Sequence, residues 1–170
     1  MQRRTFLARL SAFASALAAL SGSSVMAQTA AAIKPLVKTA AEWKKLLPGP
    51  SFKILFEDGT EPPGSSPLNG EKRAGTFVCA ACYLPLFDSA AKYESGTGWP
   101  SFHTALPGAL GTKRDFKLIL PRTEYHCVRC SGHQGHVFDD GPQPAGKRFC
   151  NNGVALQFIS KGDKLPALRT

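Results

Sequence analysis

The sequence predicts a mainly β protein, with antiparallel sheets arranged as a sandwich or an open barrel. From Gly75 onward, short apolar stretches alternate with turns, and no sustained helical pattern of apolar residues occurs after residue 50. The 170 residues include 16 glycines and 13 prolines, a composition typical of turn-rich β proteins. Apolar residues make up 43% and charged residues 19%, which favours one ordered domain over a disordered chain.

The first residues have the features of an export signal rather than of a folded element. Arg3 and Arg4 stand before Phe-Leu, an Ala-rich apolar run covers residues 7–20, and small residues follow. This order resembles the twin-arginine signal, which exports proteins already folded. We therefore expect cleavage after Ala27 and a periplasmic mature protein without stable membrane association, residues 1–27 being the signal. An uncleaved anchor helix is the alternative, but the run is short for a membrane span and contains an arginine.

The charge of the mature chain does not indicate a nucleic-acid partner. The signal contains three arginines and no acidic residue, so its removal lowers the formal net charge from +9 to +6. The remaining lysines and arginines are scattered between residues 34 and 169 instead of forming a stripe. Such a distribution is typical of a solvated surface, and we expect no nucleic-acid binding.

The mature chain is predicted to begin with a linker over residues 28–40 and one short helix over residues 41–47. Trp43, Leu46 and Leu47 recur there at helical spacing, and the Pro-Gly-Pro sequence that follows ends the helix. The folded domain is expected over residues 41–162, with a loose tail over residues 163–170. Strands are predicted at residues 52–56, 76–78, 116–120, 124–127, 136–138, 148–150 and 154–159.

Four of the five cysteines form two C-x-x-C pairs, Cys79 with Cys82 and Cys127 with Cys130. Two such pairs supply the four soft ligands of a tetrahedral zinc ion, and four thiolates leave no open position, so the zinc would be structural. Two disulfides or a redox-active pair are the alternatives in an exported protein. The identical spacings favour zinc, and export of a folded protein fits a metal bound beforehand.

Cys150 is left over and is a candidate reactive thiol. Arg148 lies two residues earlier and would share a strand face with it, where a guanidinium lowers the pKa of a thiol. Asn152 would project from the same face and orient a water or a substrate. His133 and His136 could supply a general acid, although histidines also serve as zinc ligands or core residues. The alternative is that Cys150 is unreactive and serves as a small buried hydrophobic residue.

Several motifs follow one another along residues 43–158. They are CAAC at 79–82, LF at 86–87, SGTGWPSF at 95–102, CVRC at 127–130, HQGHVF at 133–138, DGP at 140–142 and RFCNN at 148–152. Each motif alone is weak, but together and in this order they resemble the methionine-R-sulfoxide reductases of the B type. The resemblance covers nearly all of the mature chain.

The resemblance implies two antiparallel β-sheets in a tent-like or sandwich-like arrangement, with a short N-terminal helix, one structural Zn²⁺ and no organic cofactor. It implies that Cys150 attacks the sulfoxide sulfur, releasing methionine and becoming a sulfenic acid, while Trp99 contacts the substrate methyl group. A sulfoxide oxygen leaves only when protonated, so an acid beside the thiol is needed. The implied polar set for the oxygen is His133, His136, Asp140, Arg148 and Asn152. The implied zinc ligands are Cys79, Cys82, Cys127 and Cys130.

Two residues depart from the usual pattern of that family. Thr97 stands where many members carry a resolving cysteine, and the chain has no sixth cysteine. The usual intramolecular disulfide therefore cannot form, and we expect an external thiol, such as that of a thioredoxin-like protein, to regenerate Cys150. Gly153 stands where serine is common, which predicts the loss of a minor hydrogen bond.

The expected activity is repair of methionine-R-sulfoxide, protein-bound or free, under oxidative stress. Two other function classes fit part of the pattern. A zinc-ribbon-like module that binds a protein or a nucleic acid would leave Cys150, Arg148 and the two histidines unused. A disulfide oxidoreductase acting through a C-x-x-C pair is incompatible with that pair being held as zinc thiolates.

Overall fold

Two α-helices, three short 3₁₀ helices and nine strands make up the regular structure of residues 33–117 and 120–170, the part of the chain that this computed structural model describes. The 3₁₀ helices cover Pro67–Gly70, Ser89–Ala91 and Gly153–Ala155. The predicted export signal lies outside the described residues. None of the described helices has the length and the apolar character needed to cross a membrane. The bounds are α1 Ala40–Leu46, α2 Gly49–Glu57, β1 Gly75–Cys79, β2 Pro85–Asp88, β3 Lys92–Tyr93, β4 Ser101–Phe102, β5 Leu110–Asp115, β6 Arg122–Cys127, β7 His133–Phe138, β8 Arg148–Asn151 and β9 Leu156–Ser160.

The strands form two antiparallel sheets, which confirms the predicted fold class. The smaller sheet has the strand order β2-β1-β9, and the larger one has the order β3-β4-β8-β7-β6-β5. In the larger sheet, β8 is a central strand between β4 and β7. The sequence motif around Cys150 is therefore held by hydrogen bonds on both sides.

The two sheets meet on a set of aromatic rings. Phe77 and Phe87 come from the smaller sheet, and Phe102 and Phe149 come from the larger one. Phe87 stacks on Phe102 with 4.1 Å between ring centroids, and Phe77 meets Phe102 edge-on at 4.9 Å. Because side chains alternate along a strand, Phe149 faces this core while its neighbours Arg148 and Cys150 face the opposite side of the larger sheet.

The predicted first helix is present, but the predicted strand at residues 52–56 is wrong. Thr39 and Glu42 form a capping box that begins α1, and Trp43 of α1 stacks on Phe56 at 4.9 Å between ring centroids. Residues 52–56 belong to α2, whose first turn contains Pro50. Proline is tolerated there because the first turn needs no N–H donor, so Pro-Gly-Pro ends one helix and begins the next.

The predicted strand at residues 116–120 is also wrong for its described part. Phe116 and Leu120 belong to the connection between β5 and β6, and they are 73% and 78% exposed. The strand that precedes them, β5, has the sequence LGTKRD, and three of its six side chains are exposed. An edge strand of this kind has no alternation of apolar and polar residues. The strand was therefore predicted at the apolar residues of the following loop instead of at β5.

The two ends of the described domain are tied to the cysteine pairs. The Leu36 N–H donates to the Arg129 carbonyl at 2.6 Å. Residues 163–170 contain no helix or strand, yet the Arg169 guanidinium donates to the Ala81 carbonyl at 2.6 Å and its backbone N–H donates to the Cys82 carbonyl at 3.2 Å. The tail that was expected to be loose is therefore hydrogen-bonded to the turn that contains Cys82.

Candidate active site

Strand register places one row of polar side chains across the six strands of the larger sheet. Directly opposed residues of antiparallel strands project from the same face. Cys150 lies opposite His136 on one side and opposite Ser101 on the other. The complete row, in spatial order, is Tyr93, Ser101, Cys150, His136, Glu124 and Lys113.

A second row lies two residues further along the same face. Phe138 lies opposite Arg148, and Arg122 lies opposite Asp115. The pairing of Thr123 with Val137 brings these two couples side by side. The two rows together place titratable groups from five strands, β3, β5, β6, β7 and β8, on the sheet face that carries Cys150.

A cavity of about 120 Å³ opens beside Cys150. An engineered protein cavity of about 150 Å³ admits benzene, so this volume suits the end of a side chain rather than a whole amino acid. Four of the predicted site residues line the cavity. Its lining residues are Thr60, Trp99, Arg122, Gly135, His136, Phe138, Cys150 and Asn152.

Burial and the neighbouring side chains have opposite effects on the pKa of the Cys150 thiol. Burial raises the pKa of Cys150 above its ordinary value, and this effect dominates. The Arg148 guanidinium and the Thr97 hydroxyl act to lower that pKa, as predicted for Arg148. The expected arginine is therefore in place, but it offsets only part of the effect of burial.

Arg148 is held by two contacts that fix its plane. Its Nε and Nη2 atoms donate to the two carboxylate oxygens of Asp140, both at 2.8 Å. Its Cζ atom lies 4.4 Å from the centre of the Phe138 ring. These hydrogen bonds also hold the pKa of Asp140 below its ordinary value. Asp140, a predicted site residue, thus contacts Arg148 and does not line the cavity.

His136 is bound by a carboxylate that the sequence motifs did not single out. Its Nε2 atom lies 2.7 Å from Oδ2 of Asp115, which also accepts a hydrogen bond of 2.7 Å from Arg122. Burial lowers the pKa of His136 below its ordinary value, and Asp115 partly offsets this. The Lys117 backbone N–H, His136 and Arg122 hold the pKa of Asp115 well below its usual range.

His133, also a predicted site residue, lies behind His136 and outside the cavity lining. The two rings are 5.4 Å apart between centroids. The His133 Nδ1 atom is 3.2 Å from Oε1 of Glu124, but the two atoms are not aligned for a hydrogen bond. Both residues are almost fully buried. His136 is therefore the histidine that can reach a molecule bound beside Cys150.

Asn152 and Trp99 are positioned by Glu61, another residue that lies outside the sequence motifs. The Glu61 backbone N–H donates to Oδ1 of Asn152 at 3.0 Å, and its carbonyl accepts from Nε1 of Trp99 at 3.1 Å. The Glu61 carboxylate accepts from the N–H groups of Gly153 and Val154 at 2.6 and 3.1 Å. One residue thus connects both walls of the cavity.

The four paired cysteines meet in one buried cluster. Sγ of Cys79 is 3.6 Å from that of Cys130, and Sγ of Cys82 is 3.5 Å from that of Cys127. A disulfide needs about 2.05 Å, and all five cysteines are free thiols. Four sulfurs about 2.3 Å from one tetrahedral zinc would lie about 3.8 Å apart, so the donor set and the spacing fit that metal. The cluster is positioned to bind a metal ion.

A buried polar bridge runs from the four-cysteine cluster to β8. Nε2 of Gln134 donates to Sγ of Cys79 at 3.5 Å, and Oε1 of Gln134 accepts from Asn151 at 3.5 Å. The Tyr125 hydroxyl donates to Oδ1 of Asn151 at 2.8 Å. Asn151 is the neighbour of Cys150, so the four-cysteine cluster and β8 share one hydrogen-bond network.

One family model and several named proteins match the sequence of this chain. The model of the SelR domain matches residues 47–160. The peptide methionine sulfoxide reductase MsrB of Methanosarcina barkeri is 45% identical over 126 residues, covering 74% of this chain and 89% of its own length. The enzyme of the same name from Pseudomonas putida is 46% identical over 122 residues, covering 71% and 92%. The chloroplastic peptide methionine sulfoxide reductase B1 of Arabidopsis thaliana is 44% identical over 118 residues, covering 69% and 58%.

Proposed function

The chain belongs to the SelR family of peptide methionine sulfoxide reductases, and on that premise we propose that Cys150 is its nucleophile. The chain is an oxidoreductase that reduces methionine-R-sulfoxide to methionine in a thiol-dependent reaction. One observation carries the assignment of the nucleophile. Cys150 is the one cysteine of five outside the four-cysteine cluster, and it lines a cavity with Trp99 and His136.

The reductive step transfers one oxygen atom between two sulfurs. The Cys150 thiolate attacks the sulfoxide sulfur and an S–S bond forms. The protonated oxygen then moves to Cys150, as this S–S bond and the S–O bond of the substrate both break. Methionine sulfur gains two electrons, Cys150 is oxidised to a sulfenic acid, and the transferred oxygen carries one proton taken up from the site. His136, beside the sulfur, protonates the departing oxygen, and Trp99 packs against the methyl group. Arg148, held by Asp140, favours the thiolate.

The supporting residues act through those that line the cavity. Gln134 holds Asn152, which lines the cavity, since the Asn152 side chain donates to the Gln134 carbonyl at 3.0 Å. His133 lies against His136 and keeps that ring in place. These roles follow from position, because neither His133 nor Asp140 lines the cavity.

The metal that suits the four-cysteine cluster is zinc, bound by Cys79, Cys82, Cys127 and Cys130. Four thiolates complete a tetrahedral shell, so the metal would stabilise the fold and take no part in the reaction. The proposal includes no organic cofactor.

Regeneration of Cys150 requires a thiol from outside the chain. The other four cysteines are committed to the cluster, and Thr97 occupies the position at which many relatives carry a resolving cysteine. The sulfenic acid and two external thiols give the Cys150 thiol, one disulfide and water. A thioredoxin-like protein would supply such thiols, and export through a twin-arginine signal would place the cycle in the periplasm.

A single turnover tests the assignment. Protein loaded with zinc is mixed with methionine-R-sulfoxide without reductant, and its intact mass is measured. We expect one added oxygen, localised to Cys150 and trapped by a sulfenic-acid reagent. A disulfide between Cys150 and a cluster cysteine, with release of zinc, would overturn the one-cysteine cycle.

The variant Cys150→Ser provides the control. It should release no methionine above background while it keeps the zinc content and the circular dichroism of the parent. Comparing both sulfoxide epimers, free and within a peptide, identifies the preferred substrate form.

A further inference from the structure

Three hydroxyl groups form a continuous hydrogen-bonded chain beside the strand of Cys150, and they have no role in the reaction proposed above. The Thr97 and Ser95 hydroxyl oxygens are 2.8 Å apart, and those of Ser95 and Ser101 are 2.7 Å apart. The Ser101 hydroxyl also lies 3.1 Å from the Trp99 carbonyl oxygen, to which it can donate. Ser101 is fully buried and lies directly opposite Cys150 on the neighbouring strand. The chain of hydroxyls therefore reaches the strand beside Cys150 and ends on a backbone carbonyl.

The positions of the three hydroxyls allow their hydrogen bonds to run in either of two opposite directions. In both contacts between hydroxyls, either oxygen can be the donor. In one direction Thr97 donates to Ser95, Ser95 to Ser101, and Ser101 to the Trp99 carbonyl. In the other direction Ser101 donates to Ser95 and Ser95 to Thr97, which frees the Thr97 hydrogen for another acceptor. Since each hydroxyl has one hydrogen and two lone pairs, all three hydroxyls and the Trp99 carbonyl have partners in the first direction, and only that carbonyl loses one in the second.

We propose that this chain, Thr97-Ser95-Ser101, reverses its direction with the protonation state of Cys150. Beside the thiol, Thr97 accepts from S–H and the chain runs toward the Trp99 carbonyl. Beside the thiolate, the three hydroxyls rotate and Thr97 donates to the negative sulfur. No proton travels along the chain, and the proton that Cys150 loses goes to solvent through the cavity. The proposal rests on Cys150 being the reactive thiol.

Such a chain matches the needs of this buried sulfur. The Thr97 hydroxyl acts to lower the pKa of Cys150, against the effect of burial. Arg148 acts in the same direction, but its charge is shared with Asp140 through two hydrogen bonds. A hydrogen bond to a charged acceptor is stronger than one to a neutral acceptor, so a reversible donor stabilises the thiolate more than the thiol. In the proposed arrangement the Thr97 hydroxyl is the group that hydrogen-bonds to the reacting sulfur, and Ser95 and Ser101 are positioning residues.

The first experiment measures the pKa of Cys150 from the pH dependence of its alkylation by iodoacetamide in zinc-loaded protein. Thr97→Val removes the hydroxyl and keeps the shape, while Thr97→Ser keeps the hydroxyl. We expect Thr97→Val to raise the pKa by about one unit, which makes alkylation at neutral pH about tenfold slower. Thr97→Ser should stay within about twofold of the parent. Equal pKa values in the two variants would overturn the role of the hydroxyl.

The second experiment detects the reversal of the hydroxyl chain at the Trp99 carbonyl. The Trp99 carbonyl loses its donor only when Cys150 ionises, so its ¹³C chemical shift should titrate with the pKa of that thiol. The sequence has two tryptophans, and only Trp99 precedes a proline, so ¹³C-carbonyl tryptophan with ¹⁵N-proline labelling identifies its signal by the one-bond coupling.

Ser95→Ala is the matched control, because it breaks the chain and leaves Cys150 and Ser101 in place. We expect the carbonyl titration to vanish in Ser95→Ala. Persistence of the titration in this variant would reveal a through-space effect of the thiolate, and absence of any titration in the parent would show a fixed chain; either result overturns the reversal. Neither experiment uses methionine sulfoxide, so their outcome is independent of whether the protein turns over that substrate.

Discussion

At the scale of single residues, Gly153 and Ser66 fit each other closely. A Cβ atom added at Gly153 would collide with the Ser66 hydroxyl, which occupies the space that a serine side chain would need. The Ser66 hydroxyl also accepts from the Leu68 N–H at 3.1 Å. A serine side chain at position 153 therefore does not fit this structure, because the Ser66 hydroxyl occupies the space.

This fit predicts the effect of restoring the common residue. Gly153→Ser should lower the free energy of unfolding by about 1–3 kcal/mol, because the buried site is overpacked. Ser66→Gly in the same chain should recover part of that loss, since it vacates the space. Urea unfolding of the single and double variants measures both changes. Additive losses in the double variant would contradict the proposed collision.

Asp115 sets the proton affinity of His136, and this predicts a pH effect. Asp115→Asn removes the carboxylate that raises the pKa of His136, so burial would depress that pKa further. We expect the His136 ring signals in NMR to titrate at lower pH than in the parent, and the acid limb of the rate profile to move the same way. Arg122→Gln is the control, because it removes the other partner of Asp115 and keeps the carboxylate beside His136. An unchanged His136 titration in Asp115→Asn would contradict the role of the carboxylate.

The same shifts determine how stability depends on pH. Asp115 and Asp140 both have folded-state pKa values below their unfolded values, so their contribution is complete above about pH 4 and is lost as pH falls through the folded values. His136 has a lowered pKa as well, so its contribution is complete above about pH 6.5 and declines below it.

Among the predicted site residues, four that lie in local sequence motifs line the cavity. Cys150, His136, Trp99 and Asn152 line the cavity, and each lies in one of the quoted motifs. Asp115, Arg122 and Glu61 were missed because no spacing rule connects them to Cys150. They reach the site through strand register and a long loop, which a single sequence does not specify.

At the scale of elements, the strands with apolar alternation were found and those without it were missed. In the sequence of α2, only five consecutive residues, 52–56, are apolar or basic. Five residues are too few to distinguish a helix from a strand by periodicity. β5 lies at the sheet edge with exposed charged side chains, and β3 and β4 are two residues each. Elements so short or so polar leave no periodic signal.

The two turns that carry the cysteine pairs predict different results for two cysteine variants. Cys79 and Cys82 flank the turn after β1, and Cys127 and Cys130 flank the turn between β6 and β7. Cys127→Ser should release the metal and lower the free energy of unfolding by more than about 3 kcal/mol, because metal binding contributes directly to folding. Cys150→Ser should keep one zinc per chain. Metal analysis and thermal unfolding of both variants check this, and equal zinc content would refute the ligand assignment.

At the scale of the whole molecule, the cluster joins the two sheets and the Gln134 bridge extends that connection to β8. Tyr125→Phe tests the bridge, because it leaves the buried Oδ1 atom of Asn151 without its donor. We expect the free energy of unfolding to fall by about 1–3 kcal/mol. Urea unfolding of zinc-loaded protein measures the loss, and an unchanged midpoint would mean that the bridge contributes nothing to stability.

The alternation along β8 has a consequence for which insertions and deletions the chain can accept. Residues 142–145, in the loop between β7 and β8, are exposed, so a change of length there leaves both strands in register. One residue added within β8 would turn Cys150 toward the aromatic core and Phe149 toward the cavity. Lineages of this protein should therefore vary in length at the loop and never between Arg148 and Asn152.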